Sequence, residues 1–189
     1  AEHVVVTVPA DCSVSCPELL EDARRAGALI TTGGDTRTAS VVAALDALKD
    51  AQVPVDYVLI HDGARPLISS ALINANISCV QEKEACITAV PAKDTIKVAD
   101  NKGYVAGTPD RSKLWQIQTP QTFSYALVSE AYRKRAEAGD ASITDDAMVV
   151  EKYADHSIYL LKGDYRNIKI TTPEDLVIAE AFLNGGDNR

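Results

Sequence analysis

Apolar residues recur along the chain in two rhythms. Short continuous runs read as strands: VVVTVP at 4–9, LITTG at 29–33, VDYVLIH at 55–61, CITAVPA at 86–92, SIYLLKG at 157–163 and NIKIT at 167–171, while LWQIQTPQTF at 114–123 carries no assignment. Between them lie stretches of helical spacing. In TASVVAALDALKDA, Val41, Val42, Leu45 and Leu48 fall on one helical face. SCPELLEDARRAG, SALINANISCVQEK, SYALVSEAYRKRAEAG and the residues after Ser142-Ile143-Thr144 read the same way. The final helix, TTPEDLVIAEAFL, is well signalled, with Thr172 as N-cap, Pro173 at the first position and acids following. VDYVLIH is apolar throughout, which predicts a strand buried on both faces of a parallel sheet.

Strands that alternate with helices predict an α/β layer fold with a mainly parallel sheet. One segment departs from the alternation. In TIKVADNKGYVAG, two β-prone pieces flank Asn101-Lys102-Gly103, a hairpin signature, so residues 93–110 are expected to project as a β-arm. No Gly-, Ser- or Pro-rich linker, repeat or low-complexity tract breaks the chain, and residues 1–189 are expected to form a single domain.

Composition narrows the chemistry. The formal net charge is -8 over 189 residues, which disfavours a broad nucleic-acid surface, so any anionic ligand needs a local cluster of Lys and Arg. No apolar run is long enough to cross a bilayer and no signal-peptide pattern opens the chain, so a cytoplasmic location is expected. The four cysteines do not have zinc-ligand spacing, since CSVSC separates two of them by three residues with no histidine near, and reduced thiols are expected.

In an α/β sheet ligands sit beyond the carboxyl ends of strands. HDGARP, residues 61–66, lies at such an end. Asp62 there reads equally as a ligand for a hard cation such as Mg²⁺ or as the cap of a following helix. Gly63 permits close approach of a ligand, and Arg65 offers a planar fork for a phosphate. His61 reads as structural or catalytic. GGDTRTAS, residues 33–40, leads into a helix and reads first as a turn with a cap, second as an anion-binding helix start. Lys93, Asp94, Thr95 and Lys97 stand at the base of the arm, Arg111 precedes the sole tryptophan, and Lys169 precedes the capped last helix. Asp145 and Asp146 read as first-turn acids favoured by the helix dipole rather than as a metal pair. The three histidines, at 3, 61 and 156, give little support to a covalent triad. The chemistry that suits one aspartate with scattered Arg and Lys is positioning and charge neutralisation at phosphorus.

HDGARP, GGDTR with Ser40, KDTIK, DRSKLWQIQTPQTF, TDDA and GDYRNIKITTPEDL occur in this order, and the ordered set resembles the methylerythritol phosphate cytidylyltransferase family. The resemblance implies a three-layer Rossmann-like nucleotidyltransferase domain that joins CTP to 2-C-methyl-D-erythritol 4-phosphate with Mg²⁺ and releases pyrophosphate. It implies a homodimer whose arms embrace, in the cytoplasm or in a plastid for a plant-type organism. By motif, Asp62 meets the metal and, with Gly63, the nucleotide. Gly34, Arg37 and Ser40 surround the cytidine, and Lys169 steadies the phosphates. Arg65, Thr95, Arg111 and Thr119 hold methylerythritol phosphate, Thr95 and Arg111 from the partner subunit. Family members also carry a glycine-rich P-A-A-G-x-G-x-R-M loop and a P-K-Q segment that these 189 residues lack, so these residues alone are expected to be unable to turn over CTP. Two rivals stand beside this reading: a ribitol 5-phosphate or other pentitol phosphate cytidylyltransferase, and an inactive dimerising fragment. A generic nucleotide-binding α/β module leaves the arm unexplained.

Overall fold

Chain reversals and helix caps, more than the apolar runs themselves, decide where each element stops. In the computed structural model, which describes residues 2–52, 54–140 and 142–185, β1 (Val5–Val8) leads into α1 (Cys12–Ser15) and α2 (Pro17–Arg25). Next come β2 (Leu29–Thr32), α3 (Arg37–Asp50), β3 (Tyr57–Ile60), α4 (Ser70–Lys83) and β4 (Ala85–Pro91). The hairpin β5 (Val98–Ala99) and β6 (Val105–Gly107) precedes a 3₁₀ turn at Arg111–Lys113. β7 (Trp115–Ser124), α5 (Tyr125–Ala138), α6 (Asp146–Tyr153), β8 (Tyr159–Lys162) and α7 (Pro173–Asn184) complete the order.

The chain divides into two compact units, Ala1–Val58 with Ser124–His156 and Leu59–Phe123 with Ser157–Arg189. In the first unit β1 and β2 pair in parallel, Val5 opposite Leu29 through Val8 opposite Thr32. Val8, Cys12 and Leu20 form a small apolar core with Val6 and Ile30 packed against it. α5 and α6 pack on each other and bury Val128, Ala131, Tyr132, Ala147, Val149 and Val150. α3 starts where Thr36 accepts a hydrogen bond from Ala39 N at 3.1 Å, so the turn-and-cap reading of GGDTRTAS holds locally.

The second unit is organised on a four-stranded sheet in the order β3-β7-β4-β8, whose first strand straddles the division. β8 runs parallel to β4, and β7 runs antiparallel to it. The antiparallel strand follows from the hairpin, because a chain that turns back without a crossover helix must return in the opposite sense. β4 is buried along six of its seven residues, AlaCysIleThrAlaVal. β3 is not buried on both faces, as its run had suggested: Val58 is buried, whereas Tyr57 is exposed.

A polar network lies inside this unit. Asn76, fully buried on α4, donates to Leu72 O at 2.9 Å and lies 3.0 Å from the Thr88 hydroxyl, while its Oδ1 accepts from Thr122 at 3.1 Å. One amide thus ties α4 to both β4 and β7, and each partner depends on it for satisfaction. NIKIT, expected as a strand, lies outside the sheet and forms no regular element. Its backbone N–H groups go elsewhere: Ile170 N donates to Ala64 O at 2.8 Å, and Thr171 N donates to the Asp175 carboxylate at 2.8 Å. Asp175 also accepts from Thr172 N at 2.8 Å and closes the capping box of α7. The four cysteines are free thiols, Cys16 alone among them exposed. Among the described residues no helix is long and apolar enough to cross a membrane.

Replacing Asn76 with Leu strands two buried hydroxyls and is expected to lower the unfolding free energy by ~2–3 kcal/mol. Urea denaturation read by circular dichroism measures it, and an unchanged midpoint contradicts the network's structural weight.

Candidate functional site: a carboxylate between two cations

The chain leaves β3 at Ile60 and turns sharply. Arg65 N closes the turn on Asp62 O at 2.9 Å. No helix begins there; α4 starts at Ser70, and its cap is Ser69, which accepts from Leu72 N at 3.2 Å. The capping alternative for Asp62 is therefore excluded, and its carboxylate serves another purpose.

That carboxylate sits with two cations. Lys169 Nζ lies 3.1 Å from Asp62 Oδ2, and Arg65 Nε lies 3.7 Å from the same oxygen. Asp62's side chain is 17% exposed and that of Lys169 is 44% exposed, so the cluster opens to solvent on the lysine side. One negative and two positive charges leave the corner with a net charge of +1, suited to an anion.

The backbone beneath is held by a shared hydroxyl. Thr119 Oγ1 on β7 accepts from Asp62 N at 3.0 Å and lies 2.9 Å from His61 Nδ1. His61 Nε2 lies 3.1 Å from Arg65 O, and a carbonyl only accepts, so Nε2 carries the proton. Nδ1 then accepts the Thr119 hydroxyl proton, and the ring is neutral. Burial, the largest influence on it, pushes the His61 pKa below its ordinary value and agrees with that tautomer. His61 is thus a brace across its own turn rather than an acid or base aimed at solvent.

A second anchor comes from residues ~100 positions away. Asn167, buried, donates from Nδ2 to Thr119 O at 2.8 Å, and its own carbonyl accepts from Arg65 Nη1 at 2.8 Å. The Ile170–Ala64 backbone bond lies on the far side of Lys169. Lys169 is therefore fixed from both flanks against the Asp62 turn. Gly163 lets this segment close, since a Cβ there would lie 2.5 Å from Gln118 Oε1 and 2.6 Å from Thr88 Cγ2. Sequence reasoning missed Asn167. Its only signal was a polar residue heading a β-branched run.

The structure brings Asp62, Arg65, Lys169 and Thr119 together, with exposed Gly63 at the turn. Thr119 uses its hydroxyl internally and is buried. Arg65 spends one guanidinium nitrogen on Asn167 O. Thr95 and Arg111 are exposed at the base of the hairpin in the same unit, where Arg111 Nη1 donates to Lys93 O at 2.9 Å. Lys93 Nζ stacks 3.5 Å from the centre of the Tyr165 ring, whose hydroxyl donates to Pro91 O at 2.7 Å. Gly34, Arg37 and Ser40 belong to the first unit, at the start of α3. A Cβ on Gly34 would lie 2.4 Å from Ala39 Cβ, so only glycine lets that turn lie flat on the helix. Arg37 pairs with Asp146 at 2.6 Å, and Asp145 is the α6 cap, accepting from Met148 N at 2.9 Å.

Fold and charge cluster together define an α/β protein with an aspartate and two cations gathered in the turn that follows a strand. The family model of 2-C-methyl-D-erythritol 4-phosphate cytidylyltransferase matches residues 1–185, and the chain belongs to that family. A protein of that name from Lachnoclostridium phytofermentans is 51% identical over 154 residues, covering 82% of this chain and 64% of that protein. Another from Lachnospira eligens is 50% identical over 157 residues, 82% of this chain and 67% of its own length. The chain thus spans about two thirds of these relatives. The solved 4-diphosphocytidyl-2C-methyl-D-erythritol synthase of Anaerococcus prevotii superposes with a TM-score of 0.84 at 32% identity, over 96% of this chain and 78% of that one. The Thermus thermophilus cytidylyltransferase gives 0.80 at 32% identity, over 96% and 82%.

Thr119→Val keeps the shape and removes the shared hydroxyl, leaving Asp62 N–H and His61 Nδ1 without their partner. A loss of ~1–3 kcal/mol of unfolding free energy is expected, with Thr119→Ser retaining most of it. Equal urea midpoints for the valine and serine variants contradict this account.

Proposed function

We propose that this chain forms most of a cytidylyltransferase that transfers CMP from CTP to 2-C-methyl-D-erythritol 4-phosphate. A phosphate oxygen of the sugar alcohol attacks the α-phosphorus of CTP. The bond from that phosphorus to the bridging oxygen of the β-phosphate breaks, and pyrophosphate leaves with the electron pair. The observation that carries the reading is the Asp62 carboxylate between Arg65 and Lys169 in a member of this family.

Each residue then has a physical task. Lys169 is the most exposed charge of the cluster and neutralises phosphate charge as it builds during transfer. Arg65, tied to Asn167 O, holds one edge of the cluster and presents positive charge to the sugar phosphate. Gly63 leaves room beside Asp62 for the nucleotide. Gly34, Arg37 and Ser40 receive the cytidine, and Thr95 and Arg111 receive methylerythritol phosphate. Thr119 acts one step back, by fixing the Asp62 backbone.

The donor set fits Mg²⁺. That ion takes one or two carboxylates and completes its shell with phosphate oxygens and water. Asp62 supplies one such carboxylate, and the described residues contain no group of three or more His, Cys, Asp and Glu that would form an all-protein cage. Bound there, the ion would draw charge from the phosphate oxygens.

The hairpin supports a homodimer. Val98, Tyr104 and Val105 are exposed apolar residues on it, Tyr104 at 72%. A two-stranded hairpin is marginal in water without packing partners. A second copy would cover that face, and Thr95 and Arg111 at its base would serve the partner's site.

The decisive assay uses the full-length protein with CTP and Mg²⁺, offering methylerythritol 4-phosphate and ribitol 5-phosphate separately and measuring pyrophosphate release. Turnover with the first is expected. Preference for the second replaces the substrate assignment, and no release with either defeats the reading. Asp62→Asn and Lys169→Ala are each expected to lower kcat/KM by about 100-fold or more with little change in melting temperature. Mixed dimers of Asp62→Asn and Arg111→Ala subunits are expected to regain one working site, and no recovery in confirmed mixed dimers rejects the assignment of Arg111 to the partner.

A further inference from the structure

Asp146 is fully buried, yet it carries a carboxylate. Arg37 Nη2 meets its Oδ2 at 2.6 Å, and the Tyr132 hydroxyl donates to its Oδ1 at 2.5 Å. Three elements of the first unit converge on this one group: the first residue of α3, the first residue of α6 and the middle of α5. Burying a paired charge is a poor way to gain stability, because desolvation offsets most of the attraction and an apolar pair of equal volume does as well or better. What a buried charge does supply is direction: a carboxylate in a dry site has few alternative partners and holds a guanidinium in one orientation.

The orientation matters because of where Arg37 sits. It follows the Gly33–Thr36 turn, whose backbone lies against the first turn of α3. The Ser40 hydroxyl donates back to Thr36 O at 3.1 Å. Thr36 caps the helix. The turn is therefore fixed on one side by its own helix and on the other by the Arg37 side chain, 34% of which stays exposed. Asp145, as α6 cap, sets the start of that helix and hence the place of its neighbour Asp146. Tyr132 remains a protonated donor, since burial and the adjacent carboxylate both push its pKa far above the ordinary phenol value.

We propose that Asp146 and Tyr132 are positioning residues that orient Arg37, and through it the Gly33–Ser40 turn, to receive the nucleoside part of CTP. This rests on the cytidylyltransferase reading above and adds two residues that touch no ligand. The bland alternative is a tie between helices with no bearing on the nucleotide. The two differ in what they change. A tie affects unfolding; a positioning pair affects the CTP term of the kinetics and leaves the sugar phosphate term alone.

The test uses the full-length protein, with CTP and methylerythritol 4-phosphate varied separately and melting temperatures measured in parallel. Asp146→Asn and Tyr132→Phe are expected to raise KM for CTP about tenfold or more, with kcat and the sugar phosphate KM within about threefold. Combining Asp146→Asn with Arg37→Lys is expected to add little to the CTP KM of either single change, as required of residues acting through one another. An unchanged CTP KM beside a lowered melting temperature overturns the proposal and leaves only the helix tie. If Asp146→Asn does not fold, Tyr132→Phe decides on the same criterion, since it deletes one phenolic oxygen. Absence of turnover by the wild-type protein brings down the functional reading itself, and turnover with variants indistinguishable from wild type brings down this inference alone.

Discussion

One hydroxyl holds the Asp62 corner in shape. Thr119 accepts from the Asp62 amide and donates to His61, whose other ring nitrogen holds the Arg65 carbonyl. The turn from 61 to 65 is thereby clamped on itself and onto β7. Without that clamp, a carboxylate flanked by two cations would rest on a loop free to relax, and the charges would find each other in several geometries. With it, the Asp62 side chain leaves a fixed backbone, and Lys169 and Arg65 meet it at set distances. The cluster is preorganised, and preorganised dipoles and charges cost little further ordering when a ligand's charge changes.

The same logic recurs in the first unit with different chemistry. There the fixed point is a buried carboxylate rather than a hydroxyl, and the element it steadies is a glycine turn rather than a strand end. In both places the residue nearest solvent is a cation, and the residues that hold it are buried or turned inward. The polar network of Asn76 does a purely structural version of this work between α4 and the sheet.

How much of this the sequence disclosed depends on how local the cause was. Helices with periodic apolar faces and their own caps were legible: Val41 and Leu45 are the buried face of α3, and Thr172 with Asp175 closes α7 as the pattern indicates. The hairpin around Asn101-Lys102-Gly103 was legible for the same reason, since its turn chemistry is written in adjacent residues. NIKIT misled because its β-branched composition suits a strand, while its hydrogen bonds are taken by Ala64 O and a downstream carboxylate. Asp62 could not be separated from a cap until the next helix proved to start eight residues later, at Ser70. Asp146 read as an ordinary first-turn acid. Its partner Arg37 lies 109 positions earlier, and no local spacing encodes such a pairing.

The Arg65–Asn167 bond spans 102 positions of chain. Contacts so distant along the polypeptide form late, because a large loop must close before they reward it. During synthesis, β3 and its charged turn leave the ribosome long before Asn167 and Lys169 do. Until they do, Asp62 has, of the cluster's two cations, only Arg65, three residues away, as its neighbour. The second cation of the cluster and the anchor of the first arrive only with the translation of one short stretch near residue 167.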